Sequence, residues 1–348
     1  MTTLPKSMRA AIYKKKGAIS IEQRELPAIG DDDVLLRVNY CGVCGTDLHL
    51  VMDGWGEVGS IFGHEYSGQI VALGVNVQNW QMGQYVVGMP TPSCGNCQFC
   101  RQHRPSLCIG NTDIGLNTYQ GAFADYKAVA ANDLLLIPKC LNSKEAALCE
   151  PLAVAMHGIT RSHVEPGMRV FISGCGPIGL LTLAVLVAGG ITDITVSEPS
   201  AQRREHALKL GAAQVLSPDE LKVPDLPTKQ VAAPFDVAFE TSGKASAIET
   251  TFGNLQRGAS LVLMGTGLEA PRLDALRIIL SEVIITGAYN YDENGFQNAM
   301  DLLAAGKLPL ADLVEPESVA LEGLLPSMQA LVKGELVGKV MINPGHSA

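Results

Sequence analysis

The sequence predicts an α/β protein of two domains, a mostly-β part followed by a doubly wound parallel sheet. Three observations carry this. The chain has 348 residues, more than one hydrophobic core usually serves. Its texture changes after about Glu150, from short β-rich stretches bounded by glycine to apolar runs alternating with helical patterns. A glycine triplet, Gly174, Gly176 and Gly179, then stands between a strand pattern and an apolar helix pattern, as the first βα turn of such a sheet requires. Hydrophobic residues make up 47% and charged residues 18% of the chain, a globular balance without long low-complexity tracts.

In the first part, residues 34–38, 70–73 and 85–87 read as strands, and the basic run Lys14-Lys15-Lys16 reads as a solvated turn. Beyond Glu150 the strand patterns fall at 169–173, 194–197, 237–239, 260–264 and 283–286, and helical patterns at 178–188, 202–210, 245–255 and 272–280. Strand and helix in alternation imply βαβ units and therefore a parallel sheet. The Pro-rich stretch 217–234 reads as a surface loop. The division predicted is a first domain over 1–154 and a Rossmann-type domain over 155–288.

A formal charge of -9 argues against nucleic acid or an anionic membrane as partner, since both need clustered Lys and Arg. The start lacks the layout of a secretory signal, and the longest apolar run, 178–191, holds three glycines and is too short to span a bilayer. A cytoplasmic location is expected. Four of the nine cysteines crowd between Cys94 and Cys108, a pattern that speaks for metal rather than disulfides.

Cys94, Cys97, Cys100 and Cys108, with Gly95, Asn96 and Pro105 supplying turns, suit a closed, tetrahedral, structural zinc site of four thiolates. A second constellation joins Cys44-Gly45-Thr46-Asp47-Leu48-His49, Gly63-His64-Glu65 and Glu150-Pro151. Catalytic zinc takes three protein ligands and keeps one position open. Cys44 and His64 would fill two places. For the third, Glu65, Cys149 and Glu150 all qualify, with a carboxylate favoured over a second thiolate. Singly, each of these residues has a bland explanation as buried filler or surface charge; their force lies in combination.

Gly174-Cys175-Gly176-Pro177-Ile178-Gly179 follows the strand pattern and opens the helix. The first glycine permits a tight turn, the second a close approach to a pyrophosphate, and the third close helix–strand packing. Glu198, at the end of the next strand pattern, stands where an acidic group accepts both ribose hydroxyls of NAD and repels a 2′-phosphate. Arg203 and Arg204 follow a helical turn later, where an arginine could instead accommodate NADP. NAD is expected over NADP.

Together these segments resemble the zinc-containing medium-chain alcohol dehydrogenase superfamily, over essentially the whole chain and in the expected order; the closing Gly338-Lys339-Val340 is similar to its signature as well. Glu150-Pro151-Leu152 resembles the branch of sorbitol and butanediol dehydrogenases, in which glutamate stands where liver-type enzymes carry a cysteine ligand. The resemblance implies a GroES-like catalytic domain to which residues 289–348 return. It implies two zinc ions per chain, the catalytic one held by Cys44, His64 and either Glu65 or Glu150. It further implies hydride transfer between NAD and a secondary alcohol, diol or polyol, a proton relay through Thr46 and His49, and a homodimer or homotetramer. Asp47 is read as structural, Cys140 and Cys175 as buried fillers, and Trp55, Tyr119 and Tyr291 as aromatic candidates for the substrate pocket. Asn290 departs from the arginine that sorbitol-type enzymes tend to carry in this stretch. Two other readings are a carbonyl-reducing, NADP-dependent member of the superfamily and a non-catalytic zinc-stabilised binding protein. The second predicts damage at the metal site or relay, yet Cys44, Thr46, His49, His64 and Glu65 are all present.

Overall fold

The structure is a computed structural model that describes residues 4–91, 93–110 and 120–345. Along the chain come β1 (Ser7–Lys15), β2 (Ala18–Glu25), β3 (Asp33–Gly42), α1 (Gly45–Leu48), β4 (Glu65–Leu73), β5 (Tyr85–Gly88), α2 (Gln98–Arg101), β6 (Tyr126–Ala130), β7 (Leu134–Leu136), α3 (Ser143–Ala146) and α4 (Cys149–Ser162). Then β and α alternate: β8 (Val170–Ser173), α5 (Pro177–Ala188), β9 (Ile194–Ser197), α6 (Ala201–Lys209), β10 (Gln214–Leu216), β11 (Phe235–Glu240), α7 (Ala245–Gly253), β12 (Leu255–Leu263), α8 (Ala275–Ser281) and β13 (Ile284–Gly287). The chain closes with α9 (Gly295–Ala304), α10 (Leu310–Leu313), α11 (Leu324–Lys333) and β14 (Met341–Ile342).

Two compact units result. One comprises residues 1–150, 296–306 and 314–348, the other 151–295 and 307–313.

The first unit holds an antiparallel β1–β2 hairpin and a sheet in the order β14-β3-β4-β5-β7, with β6 paired to β3. Its core gathers Ala10, Ile12, Val34, Leu36, Ile70, Val86 and Phe123 with Leu324, Met328, Val340 and Ile342 from the end of the chain. Strands such as β3 and β4 mix buried and half-buried residues without strict alternation, which leaves a weak period-two signal in the sequence. Lys14, Lys15 and Lys16 are exposed at the hairpin turn, where Lys14 pairs with Glu22.

In the second unit six parallel strands run β10-β9-β8-β11-β12-β13. This is the doubly wound Rossmann order, whose direction reverses between β8 and β11. The strands Val170–Ser173 and Ile194–Ser197 are buried throughout, which is why they read as unbroken apolar runs rather than alternating ones. The loop after β10 is held by Arg277, whose guanidinium donates to the carbonyl oxygens of Pro224, Leu226 and Lys229.

One expectation needs correction. Cys140 is exposed rather than buried, because it sits in the turn after β7, where the backbone runs along the surface. Arg204 Nη1 donates to the carbonyl oxygens of Glu198 at 2.6 Å and Pro199 at 2.8 Å, tying α6 to the end of β9. Cys175 is buried, as expected. Among the described residues no helix is long and apolar enough to cross a membrane.

Candidate active site

The strand ends of the first unit build a compact donor cluster. Glu65 opens β4 and lies opposite Gly42 at the end of β3. Cys44 follows two residues later, just before α1. One ligand atom each from Cys44, His64 and Glu65 lies within 4.8 Å of the others.

Asp47, wholly buried, braces this arrangement. Its Oδ2 accepts the backbone N–H of Cys44 at 2.9 Å, its Oδ1 accepts that of Gly63 at 3.2 Å, and Oδ1 lies 3.7 Å from His64 Nδ1. At 3.7 Å the carboxylate acts on the imidazole through its charge rather than through a hydrogen bond. Lys339, 1% exposed, places its Nζ 2.6 Å from Glu65 Oε1 and donates to the Val43 carbonyl oxygen at 3.2 Å. Glu65 Oε2 is buried with no hydrogen-bond partner among the described residues.

The electrostatics of the cluster call for a cation. Burial pushes the Glu150 carboxyl up to about 7, with Glu65 and Asp47 pushing the same way against His64 and Lys339. Burial also raises Asp47, tempered by His64 and by the N–H groups it accepts. For His64, burial disfavours the imidazolium, but Asp47, Cys44 and Glu150 outweigh it and hold the group well above the ordinary histidine range. Three buried carboxyl groups and a thiol thus confront two basic side chains. Sulfur, nitrogen and a carboxylate oxygen gathered this closely are the donor types that an open zinc site would use.

The cysteine lobe differs in kind. Cys97 and Cys100 sulfurs are 3.5 Å apart and those of Cys94 and Cys100 4.0 Å apart, close to the roughly 3.8 Å edge of a tetrahedron with Zn–S bonds near 2.3 Å. Backbone N–H groups of Cys100 and Ile109 pull the Cys97 thiol down to about 6, and those of Cys94 and Gly110 lower Cys108. Four sulfurs would fill every coordination position of such an ion and leave none for chemistry.

In the second unit, Gly174 has φ of 89°, a left-handed value that favours glycine. A Cβ on Gly179 would collide with the Gly174 carbonyl oxygen, so the third glycine brings helix and turn together. Pro177 occupies the first turn of α5 after Gly176, pre-set for a helix start and lacking only an N–H that would be orphaned. Ile178 and Gly179 follow it in the same turn, whose free N–H groups and dipole suit a phosphate. Glu198, 4% exposed, accepts the Cys175 N–H through Oε2 at 2.8 Å and the Ser200 N–H through Oε1 at 3.0 Å. Arg203 lies near enough to Cys175 to act on it electrostatically.

Comparison with known proteins converges on one family. Residues 30–139 match the Alcohol dehydrogenase GroES-like domain and residues 177–305 the Zinc-binding dehydrogenase domain. Sorbitol dehydrogenase of Bacillus subtilis (strain 168) is 32% identical over 99% of this chain and 99% of its own. The chain belongs to the zinc-dependent medium-chain alcohol dehydrogenase family, in its sorbitol dehydrogenase-like branch. Among solved structures, 2R,3R-butanediol dehydrogenase from Bacillus subtilis superposes with a TM-score of 0.85 at 28% identity, covering 97% of this chain and 100% of that one. A zinc-binding dehydrogenase from Sinorhizobium meliloti 1021, bound to NADP, has the same TM-score and identity over 98% and 100%. This chain is accordingly an oxidoreductase.

Within this dehydrogenase the predicted residues do not all converge. Cys44, His64 and Glu65 form the cluster, whereas Glu150 lies outside it and acts on it through its charge. Cys149 points elsewhere, its Sγ donating to the Phe296 carbonyl oxygen. Thr46 and His49 are three residues apart on the helical run from Gly45 to Asp53 and so share a face. His49 Nδ1 is 2.6 Å from Asp53 Oδ2, and its ring stacks on Trp55 at 4.6 Å. Tyr291 is buried, and Tyr119 lies outside the described residues. The sequence reading assigned Asp47 only a structural part and gave Lys339 none. Signals existed for both: an acid three residues after Cys44 at a helix start, and the lysine in the closing Gly338-Lys339-Val340.

Proposed function

We propose that this chain is a zinc-dependent dehydrogenase that transfers hydride reversibly between NAD and a secondary alcohol, diol or polyol. The observation that carries the reading is the open donor set of Cys44, His64 and Glu65, with one buried carboxylate oxygen lacking a partner. The names of the sorbitol and butanediol dehydrogenases support the substrate class. On this reading residues 1–154 with 289–348 are the catalytic domain and 155–288 the dinucleotide-binding domain.

Cys44, His64 and Glu65 hold the catalytic zinc, and Cys94, Cys97, Cys100 and Cys108 the structural one. When bound, the catalytic metal supplies Lewis acidity that favours loss of the alcohol proton and stabilises negative charge on oxygen. Asp47 attracts the His64 imidazole and holds the backbone on both sides of the cluster, and the Glu150 carboxyl acts on it electrostatically. Thr46 would take the alcohol proton at its hydroxyl oxygen while giving its own hydroxyl proton on along the relay, and His49 would take up that proton and release one to solvent, with Asp53 orienting the ring. The turn Gly174 to Gly179 cradles the pyrophosphate against the start of α5.

Glu198 supports NAD, since a buried carboxylate beside the turn repels a 2′-phosphate. NADP is the second reading, favoured by Arg203 and by the NADP-bound relative. Small molecules are its partners besides copies of itself, and the acidic charge with unpaired, metal-clustering cysteines suits the cytoplasm.

The test is reduced-nicotinamide absorbance with NAD and with NADP over a panel of short alcohols, vicinal diols and sugar alcohols, before and after chelation. Turnover on a secondary alcohol, stronger with NAD and abolished by chelation, is the expected result. A zinc-loaded enzyme that binds NAD yet turns over no secondary alcohol on the panel would contradict the substrate class.

A further inference from the structure

An ammonium group is rarely taken out of water unless it is paired and hydrogen-bonded. Lys339 is paired with Glu65, and both are essentially inaccessible to solvent. A buried ion pair is weak evidence for stability, because desolvation offsets the attraction. What it does supply is direction. Nζ engages Oε1 of Glu65, while Oε2 has no hydrogen-bond partner among the described residues.

The sheet explains how the two meet. Gly42, near the end of β3, is in register with Glu65 on β4 and with Met341 on β14, so Glu65 and the segment entering β14 flank one backbone position. A Cβ at residue 42 would collide with Glu65 Oε2 and come within 3.2 Å of Lys339 Cδ. Gly42 is not among the residues with positive φ, so its lack of a side chain is not a backbone requirement. The room that glycine leaves here is occupied by the ion pair.

We propose that Lys339 is a positioning residue for the catalytic metal site: in the space left by Gly42 it holds one oxygen of Glu65, so that the carboxylate joins Cys44 and His64 as a one-oxygen ligand in a single orientation. The inference rests on the reading that these three side chains hold zinc. Without the ammonium, the carboxylate is free to turn or to offer both oxygens.

The test compares wild type with Lys339→Met, Lys339→Arg and Gly42→Ala. Metal per chain is measured by elemental analysis after dialysis against a mild chelator, and the visible spectrum is recorded with cobalt in the catalytic site. Wild type should hold about two metals per chain. Lys339→Met should bind the catalytic metal about 10–100-fold more weakly, keep the metal of the cysteine lobe, and shift the cobalt bands. Lys339→Arg, which retains charge and donors, should recover part of the loss. Gly42→Ala should shift the bands with the lysine still present. Lys339→Met with wild-type metal affinity and an unchanged cobalt spectrum would overturn the proposal; should that variant not fold, an unchanged spectrum in Gly42→Ala would do so. A wild type that holds only the lobe metal would instead overturn the underlying reading of Cys44, His64 and Glu65.

Discussion

Glu198 shows how one side chain serves two ends. Its two oxygens accept the N–H groups of Cys175 and Ser200, which shapes the turn after β8, and on the proposed reading its charge would oppose a 2′-phosphate on the cofactor. Glu198→Gln keeps an acceptor and removes the charge. The ratio of kcat/KM for NADP to that for NAD should rise about tenfold, the equivalent of roughly 1.4 kcal/mol; an unchanged ratio would place cofactor choice elsewhere. At this scale the sequence was informative about residue type and less so about partnership. Cys44 and His64 were legible because cysteine and histidine at these spacings have few other uses. The choice between Glu65 and Glu150 was not, since two acids at different points of a chain look alike until the β3–β4 register puts one of them opposite Gly42. The same register, together with β14, brings Lys339 to Glu65 across 274 residues of sequence.

The elements carry these residues with unequal clarity. The parallel strands and α5 were legible because burial on both faces leaves unbroken apolar runs, and a 12-residue helix entered by Pro177 has a start signal. The β1–β2 hairpin and the four-residue helices α1 and α2 were not, since so few residues show no period. The turn before α5 leaves no room for a side chain at Gly179. Gly179→Ala would force its Cβ against the Gly174 carbonyl oxygen and within 2.9 Å of Thr241 Oγ1, which itself donates to the Ser173 and Gly174 carbonyl oxygens. We expect a loss of about 1–3 kcal/mol in unfolding free energy and, by calorimetric titration, a loss of NAD affinity with metal content unchanged. Unaltered stability and affinity would show that the helix can slide without cost.

For the whole molecule, the open question is assembly. β13 is the outer strand of the parallel sheet, and an unpaired edge offers free N–H and carbonyl groups to another chain. Around it Ile279 is 70% exposed and Ile284 59%, with Leu276 and Leu280 also exposed on α8, apolar surface of the kind an interface would cover. We predict a homodimer built on this edge, within the expectation of a homodimer or homotetramer. Light scattering coupled to size exclusion should give twice the chain mass for wild type and the chain mass for Ile279→Asp with Ile284→Asp. A monomeric wild type, or a double variant that stays associated, would remove β13 from the interface. By itself the sequence determined the fold class, the four-sulfur lobe, the glycine turn and the donor types of the open site, because each is written in local spacing and periodicity. Only the tertiary structure decided that Glu65, and not Glu150, falls into one cluster with Cys44 and His64, that Asp47 accepts backbone N–H groups from both segments, and that Lys339 is buried against Glu65. Those are contacts between strand ends far apart in the chain, and their geometry is set by sheet register and burial, which no local pattern encodes.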